Sequence, residues 1–268
     1  MIPAVTEYEP EFDDHFDGPL LDPRWLPHYL PQWSSRERSA ARYELVDGGG
    51  LRLLIEKDQP PWCPELDGDV RVSSLQTGVF AGPLGSDVGQ HRFHPRAVVT
   101  EAQPEARLYT PQYGRIEVGM RALDDPRCMC ALWMIGYEGE PERSAEICVS
   151  EIFGRDVGPA GAKVGMGVHP FGDPRIADEF AAEPLAIDVR EPHVYAADWT
   201  PEHVAFSIDG EHVKTVGQSP AYPMQLMLGI YEFPDERGGD RGTYPKVFHV
   251  DHVRVSRFVP KPEDEATP

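Results

Sequence analysis

Hydrophobic and polar residues alternate singly along most of this chain, or the apolar ones run in short blocks. Both are strand patterns, and no segment of any length carries helical spacing. The clearest alternation is residues 113–122, with Ile116, Val118, Met120 and Ala122 toward a core and Arg115, Glu117 and Arg121 toward an open side. In 128–135, Cys128, Cys130 and Leu132 continue the core face, which puts Met129, Ala131 and Trp133 on the same side as those charges. Further strands are predicted over 51–55, 72–80, 163–169, 193–199 and 224–231, and a last one over 248–255. In 193–199 the alternation sends Trp199 to the open face with Tyr195 and Ala197. Val204, Phe206 and Ile208 run into an Asp209-Gly210 turn with Val213 opening the return strand, a hairpin signal.

The pattern breaks in three places. Residues 11–33 scatter Phe12, Phe16, Trp25 and Trp33 among acids and prolines, as expected of an N-terminal arm, about residues 1–33, laid across the domain. Residues 82–107 form a long irregular stretch with Gly, Pro and His interspersed, including Gln90-His91-Arg92-Phe93-His94-Pro95. A loop of that length in a compact domain is either functional or disordered, and a binding rim is expected here. From Pro260 the chain turns to charge, so a loose tail is expected over 260–268. Together these predict one all-β domain over residues 1–268, a two-sheet antiparallel sandwich of around ten to fifteen strands closed by long loops.

Candidate chemistry concentrates at Glu146-Ile147-Cys148-Val149-Ser150-Glu151. Strict alternation puts Glu146 and Cys148 on one face and Glu151 on the other. One β-bulge brings all three to a single surface, and bulges are common beside active sites. Two carboxylates about 5–5.5 Å apart are what a retaining glycosidase uses, one to attack and one to protonate the leaving oxygen. The plainer reading is a glutamate facing solvent at a strand end.

Composition narrows the field. With 25 basic and 45 acidic residues the formal charge is -20, and no Lys/Arg run forms a basic patch, so nucleic acid and anionic membranes are poor partners and a neutral or weakly charged carbohydrate is unaffected. The first residues lack a basic segment followed by an apolar one, which reads as cytoplasmic. A different start or export route would make the protein secreted. No apolar run reaches the roughly 18 residues of a membrane span. Cys63, Cys128, Cys130 and Cys148 do not have zinc-thiolate spacing and are read as reduced.

With the strands placed, the chain resembles glycoside hydrolase family 16, the laminarinase and β-glucanase group with a concanavalin A-like jelly roll. The resemblance is carried by Phe16-Asp17-Gly18 with Trp25, Tyr113-Gly114-Arg115-Ile116-Glu117, the Glu146 block and residues 193–201 followed by Asp209-Gly210. Residues 222–228 and 250–255 look like the family's closing strands. The resemblance implies two curved antiparallel sheets with a concave cleft for a β-linked polysaccharide or oligosaccharide, such as a β-1,3-glucan. Cleavage would be endo-acting and retaining, with Glu146 as nucleophile and Glu151 as acid/base. The family's middle Asp falls on Cys148, a departure that implies reduced hydrolysis or a shifted pH optimum. It keeps open a catalytically weak or inactive carbohydrate-binding protein, and a transglycosylase with the same glutamates. Trp199 and Trp133 are candidate sugar platforms or core fillers, and His169, Gln225 and Glu117 are candidate polar cleft groups. Asp251 lies where some family members hold a structural calcium, although no spaced carboxylate loop is visible and no cofactor is required.

Overall fold

The computed structural model describes residues 5–234 and 242–260. Two antiparallel sheets pack face to face as a jelly-roll sandwich. The first has the strand order Glu211–Val216, Val204–Ile208, His193–Trp199, Gly114–Arg121, Lys246–Pro260, Leu51–Ile55 and Arg42–Leu45, and Val5–Asp14 adds to the far half of Lys246–Pro260. The second runs Val157–Gly158, Gly161–His169, Glu146–Phe153, Cys128–Gly136, Met224–Glu232 and Arg71–Gln76, with Glu179–Leu185 also paired to Gly161–His169. Among the described residues helix is confined to single turns such as Arg36–Ser39 and Pro64–Asp67.

Side-chain alternation sets two apolar layers. Leu53, Ile116, Val118, Tyr195, Phe206, Leu132 and Leu226 meet between the sheets. The second sheet also has an apolar outer face, where Val72, Met129, Ala131, Trp133, Cys148, Met227 and Tyr231 pack under Tyr29, Trp33 and Trp62. Cys128–Gly136 and Met224–Glu232 are therefore buried on both faces and read as apolar runs. That outer face, covered by the arm and the long loop, carries the candidate chemistry.

Among the strands outside the predicted set, two of the longer ones contain proline. Val5–Asp14 carries Pro10, and Glu179–Leu185 carries Pro184. Each pairs with a single strand, a placement that tolerates the missing N–H. The described part of the arm is tied down, with Phe12, Phe16, Trp25 and Trp33 all buried. The tail expected over 260–268 lies outside the described residues, apart from the backbone of Pro260.

Candidate active site

The Glu146–Phe153 strand slips register against both neighbours. Leu132 pairs with Ser150 while Trp133 pairs with Cys148, and on the other side Gly165 pairs with Glu151 while Gly167 pairs with Cys148. The extra residue lies in the Val149-Ser150 segment, where Val149 joins the core between the sheets and Ser150 reaches back toward Met120 Sδ. Glu146, Cys148 and Glu151 consequently line one cavity of about 540 Å3 on the outer face of the sheet. Gly167, opposite the bulge, has φ +147°, and a Cβ there would meet the Glu179 carbonyl oxygen at 2.3 Å, so the close approach of the edge strand requires glycine.

Around the glutamates the cavity wall is aromatic and acidic, with Tyr29, Trp133, Phe171 and Tyr231 alongside Asp178 and Asp67. Trp133 donates its indole N–H to the Tyr231 hydroxyl at 3.0 Å, which fixes the ring. His169 is the cross-strand partner of Glu146. Its ring stacks on Phe180 with centroids 4.6 Å apart, and Nδ1 lies 3.2 Å from Asp178 Oδ2. Among the lining residues there is no lysine or arginine.

The two carboxyls differ in surroundings. Burial is the main force raising Glu151 above the usual carboxylate range; His169 opposes it, and the charge of Glu146 adds to it. Glu146 faces a histidine instead, with His91 Nδ1 2.9 Å from its Oε1. Between them, the Cys148 thiol is pushed well up by burial and then by the charges of Glu146, Glu151 and Asp178, so it stays neutral.

His91 comes from the long irregular loop, and the residue before it explains its placement. The Gln90 carbonyl accepts from the Trp33 indole at 2.8 Å and from Gln32 Nε2 at 3.1 Å. Its side chain accepts from the Phe80 N–H at 2.8 Å and donates to Gln225 Oε1 at 2.7 Å. Gly89 lets the loop press onto Trp33, since a Cβ there would sit 2.9 Å from the indole ring. His91 itself is left-handed, φ 49°, and its N–H donates to Glu138 Oε1 at 2.6 Å. Burial lifts Glu138 to about 8, with the charge of Glu146 adding to the rise and the His91 N–H opposing it. Sequence reading marked this loop as a rim but missed His91 and Glu138 as individuals, because what joins them to each other and His91 to Glu146 are contacts between residues distant in the chain, 47 positions apart for His91 and Glu138. The cluster of turn-forming residues flanking His91 was the available signal.

Several sequence-derived candidates lie elsewhere. Trp199 belongs to the first sheet and points inward. It is fully buried in the inter-sheet core, its indole N–H donating to Ser219 Oγ at 2.9 Å and to the Pro220 carbonyl at 3.1 Å. The expected open face of 193–199 is thus the sandwich interior. Glu117 is on the outer side of the same sheet, away from the cavity, because Gly114–Arg121 and Cys128–Gly136 are in different sheets and their non-core sides face opposite directions. His252, Arg115 and Arg254 draw it down to about 2. Gln225 is on the correct face but is fully buried and engaged with Gln90, so it anchors the loop and does not line the cavity. Asp251 pairs with Arg121 at 3.4 Å on the first sheet, and among the described residues no group of three or more His, Cys, Asp or Glu is arranged to hold a metal. All four cysteines are free and buried. Among the described residues no helix is long and apolar enough to cross a membrane.

Comparison with known proteins agrees with this architecture. The family model described as Glycosyl hydrolases family 16 matches residues 108–244, which include the bulged strand. Among solved structures, a GlcNAcα1-4Gal-releasing endo-β-galactosidase from Clostridium perfringens superposes with a TM-score of 0.79 at 28% identity, over 93% of this chain and 62% of its own. The chain therefore spans less than two thirds of that relative. The laminarinase catalytic domain from Thermotoga maritima gives a TM-score of 0.62 at 17% identity over 94% and 99% of the two chains, and laminarinase from Flavobacterium sp. gives 0.64 at 16% over 93% and 100%. These last two likenesses establish the fold alone. No curated protein matches the chain.

Proposed function

We propose that this chain, which belongs to glycosyl hydrolase family 16, is a retaining, endo-acting hydrolase of an uncharged β-linked glycan, with Glu146 as nucleophile and Glu151 as acid/base. The observation that carries the reading is the bulge that turns Glu146 and Glu151 into one cavity while their surroundings differ. In the first step a Glu146 oxygen bonds to the anomeric carbon as the glycosidic C–O bond breaks, and Glu151 gives its proton to the departing oxygen. In the second step a water oxygen attacks the same carbon, its proton passes to Glu151, and the ester bond to Glu146 breaks. Burial favours the protonated Glu151 that the first step needs.

Substrate charge follows from the lining. Acidic side chains without a lysine or arginine among them disfavour sulfate and uronate groups. Trp133 supplies an aromatic face for a sugar ring, and His169 a polar contact beside it. The relative with 28% identity releases a disaccharide ending in galactose, which makes a β-galactosidic linkage the first candidate and β-1,3-glucan the second. Cys148 supports one alternative, a weakened enzyme or sugar-binding protein, because a neutral thiol contributes little field between the glutamates.

The test is release of reducing ends from neutral β-galactan, β-1,3-glucan, mixed-linkage glucan and a sulfated galactan. The expected outcome is cleavage of a neutral polymer, loss of at least about a thousandfold in Glu146→Gln and Glu151→Gln, and no cleavage of the sulfated one. Binding without release from any polymer selects the alternative.

A further inference from the structure

The Glu146 carboxylate has a demand that its own strand does not meet. A nucleophilic carboxylate must hold one oxygen still so that the other can approach the anomeric carbon in line. Its face-mate Cys148 offers only a weak S–H donor, and Oε1 of Glu146 is buried without a hydrogen bond. The polar atom facing that oxygen is His91 Nδ1, at 2.9 Å, itself buried and also without a hydrogen bond. The approach is bent, and contacts of this kind in catalytic sites straighten as substrate closes over them.

The surroundings of His91 favour a single pose. Its N–H is held by Glu138, and its ring stands edge-on to Trp133 at 5.1 Å and against Phe171 at 4.3 Å. Immediately before it, Gln90 is fixed by four hydrogen bonds, to Gln32, Trp33, Phe80 and Gln225. A loop rim that only contacted substrate would not need such anchoring at the residue next to His91.

From this we infer that His91 is a positioning residue, whose Nδ1–H holds Oε1 of Glu146 and leaves Oε2 to attack, with Glu138 fixing the His91 backbone. The inference rests on the hydrolase reading above. It assigns a role to the one loop side chain, among the described residues, shown at hydrogen-bond distance from the nucleophile.

Asparagine and glutamine test the assignment atom by atom. The Asn amide nitrogen takes the place of Nδ1, the Gln amide nitrogen reaches toward Nε2, and Asn also tolerates a left-handed backbone. His91→Ala should lower kcat about 10–100-fold with KM within about twofold, His91→Asn should recover most of it, and His91→Gln should stay as low as alanine. Equal recovery by Asn and Gln, or a rise in KM at unchanged kcat, would overturn the inference. A second readout does not depend on turnover or on the folding of a His91 variant. In 15N-imidazole NMR spectra of the wild type, Nδ1 of His91 should carry the proton, and its signal should move in Glu146→Gln. An unprotonated Nδ1, or a signal indifferent to Glu146, also overturns it. If the wild type cleaves no glycan, the hydrolase reading falls and takes the positioning role with it, while the NMR result still shows whether the contact exists.

Discussion

Cys148 occupies a point where chemistry and packing pull in opposite directions. Its thiol is buried at the cavity wall beside Trp133, Met129 and Tyr231, and it sits between two carboxyls to which the proposed mechanism gives unlike protonation states. An aspartate there would place charge beside both. As a like charge, it would raise Glu151 further, keeping the acid protonated to higher pH. Cys148→Asp should therefore increase kcat several-fold and move the alkaline limb of the pH–rate profile upward. It should also cost about 1–3 kcal/mol of stability in urea denaturation, because a carboxyl replaces a buried apolar group. Unchanged activity in this variant would show that the cysteine is no handicap.

At the level of elements, the bulged strand was legible and the loop partner was not. Glu146, Cys148 and Glu151 have a spacing with few ways to share a face, so local geometry nearly determines their arrangement. Trp133 likewise follows from alternation within one strand. Trp199 and Glu117 show the limit: alternation sorts a strand's side chains into two sets but does not say which sheet the strand joins, and both residues lie in the sheet that carries no site. His91 required knowledge of a loop path. That path depends on Gly89 lying against Trp33, which gives an element-scale prediction. Gly89→Ala forces the indole or the loop to move by a few tenths of an ångström or more. The expected result is a loss of about 1–3 kcal/mol in thermal or urea unfolding, together with a drop in kcat from displacement of His91. A fall in stability without any change in kcat would separate the loop from the chemistry.

For the whole molecule, the buried carboxyls set a pH dependence of stability with a definite sign. Glu117 lies near 2 in the fold, so its contribution is present above about 4.5, its unfolded value, and is lost as pH falls toward 2. Glu138 works the other way. Raised from 4.5 to about 8, it holds a proton in the folded state that the unfolded chain has released, so between those values stability falls as pH rises, at roughly 1.4 kcal/mol per pH unit for one full proton. Glu151, raised in the same direction, adds to the fall. The Tm should thus peak on the acidic side of neutrality and decline toward pH 8, and Glu138→Gln should flatten the decline. A Tm that climbs from pH 5 to 8 in the wild type would contradict this placement of Glu138.

The first sheet is held together by a strand that arrives late. Lys246–Pro260 is hydrogen-bonded to Val5–Asp14, Leu51–Ile55 and Gly114–Arg121, so without it the sheet is divided into separate pieces. During synthesis at the ribosome, those pieces wait with unpaired edges until Lys246–Pro260 has been added. The second sheet, by contrast, has all its strands once residue 232 is made. The Glu146–Phe153 strand can therefore find its neighbours while the sheet that must cover its inner face is still incomplete, an order of assembly that leaves much apolar surface exposed until Lys246–Pro260 joins.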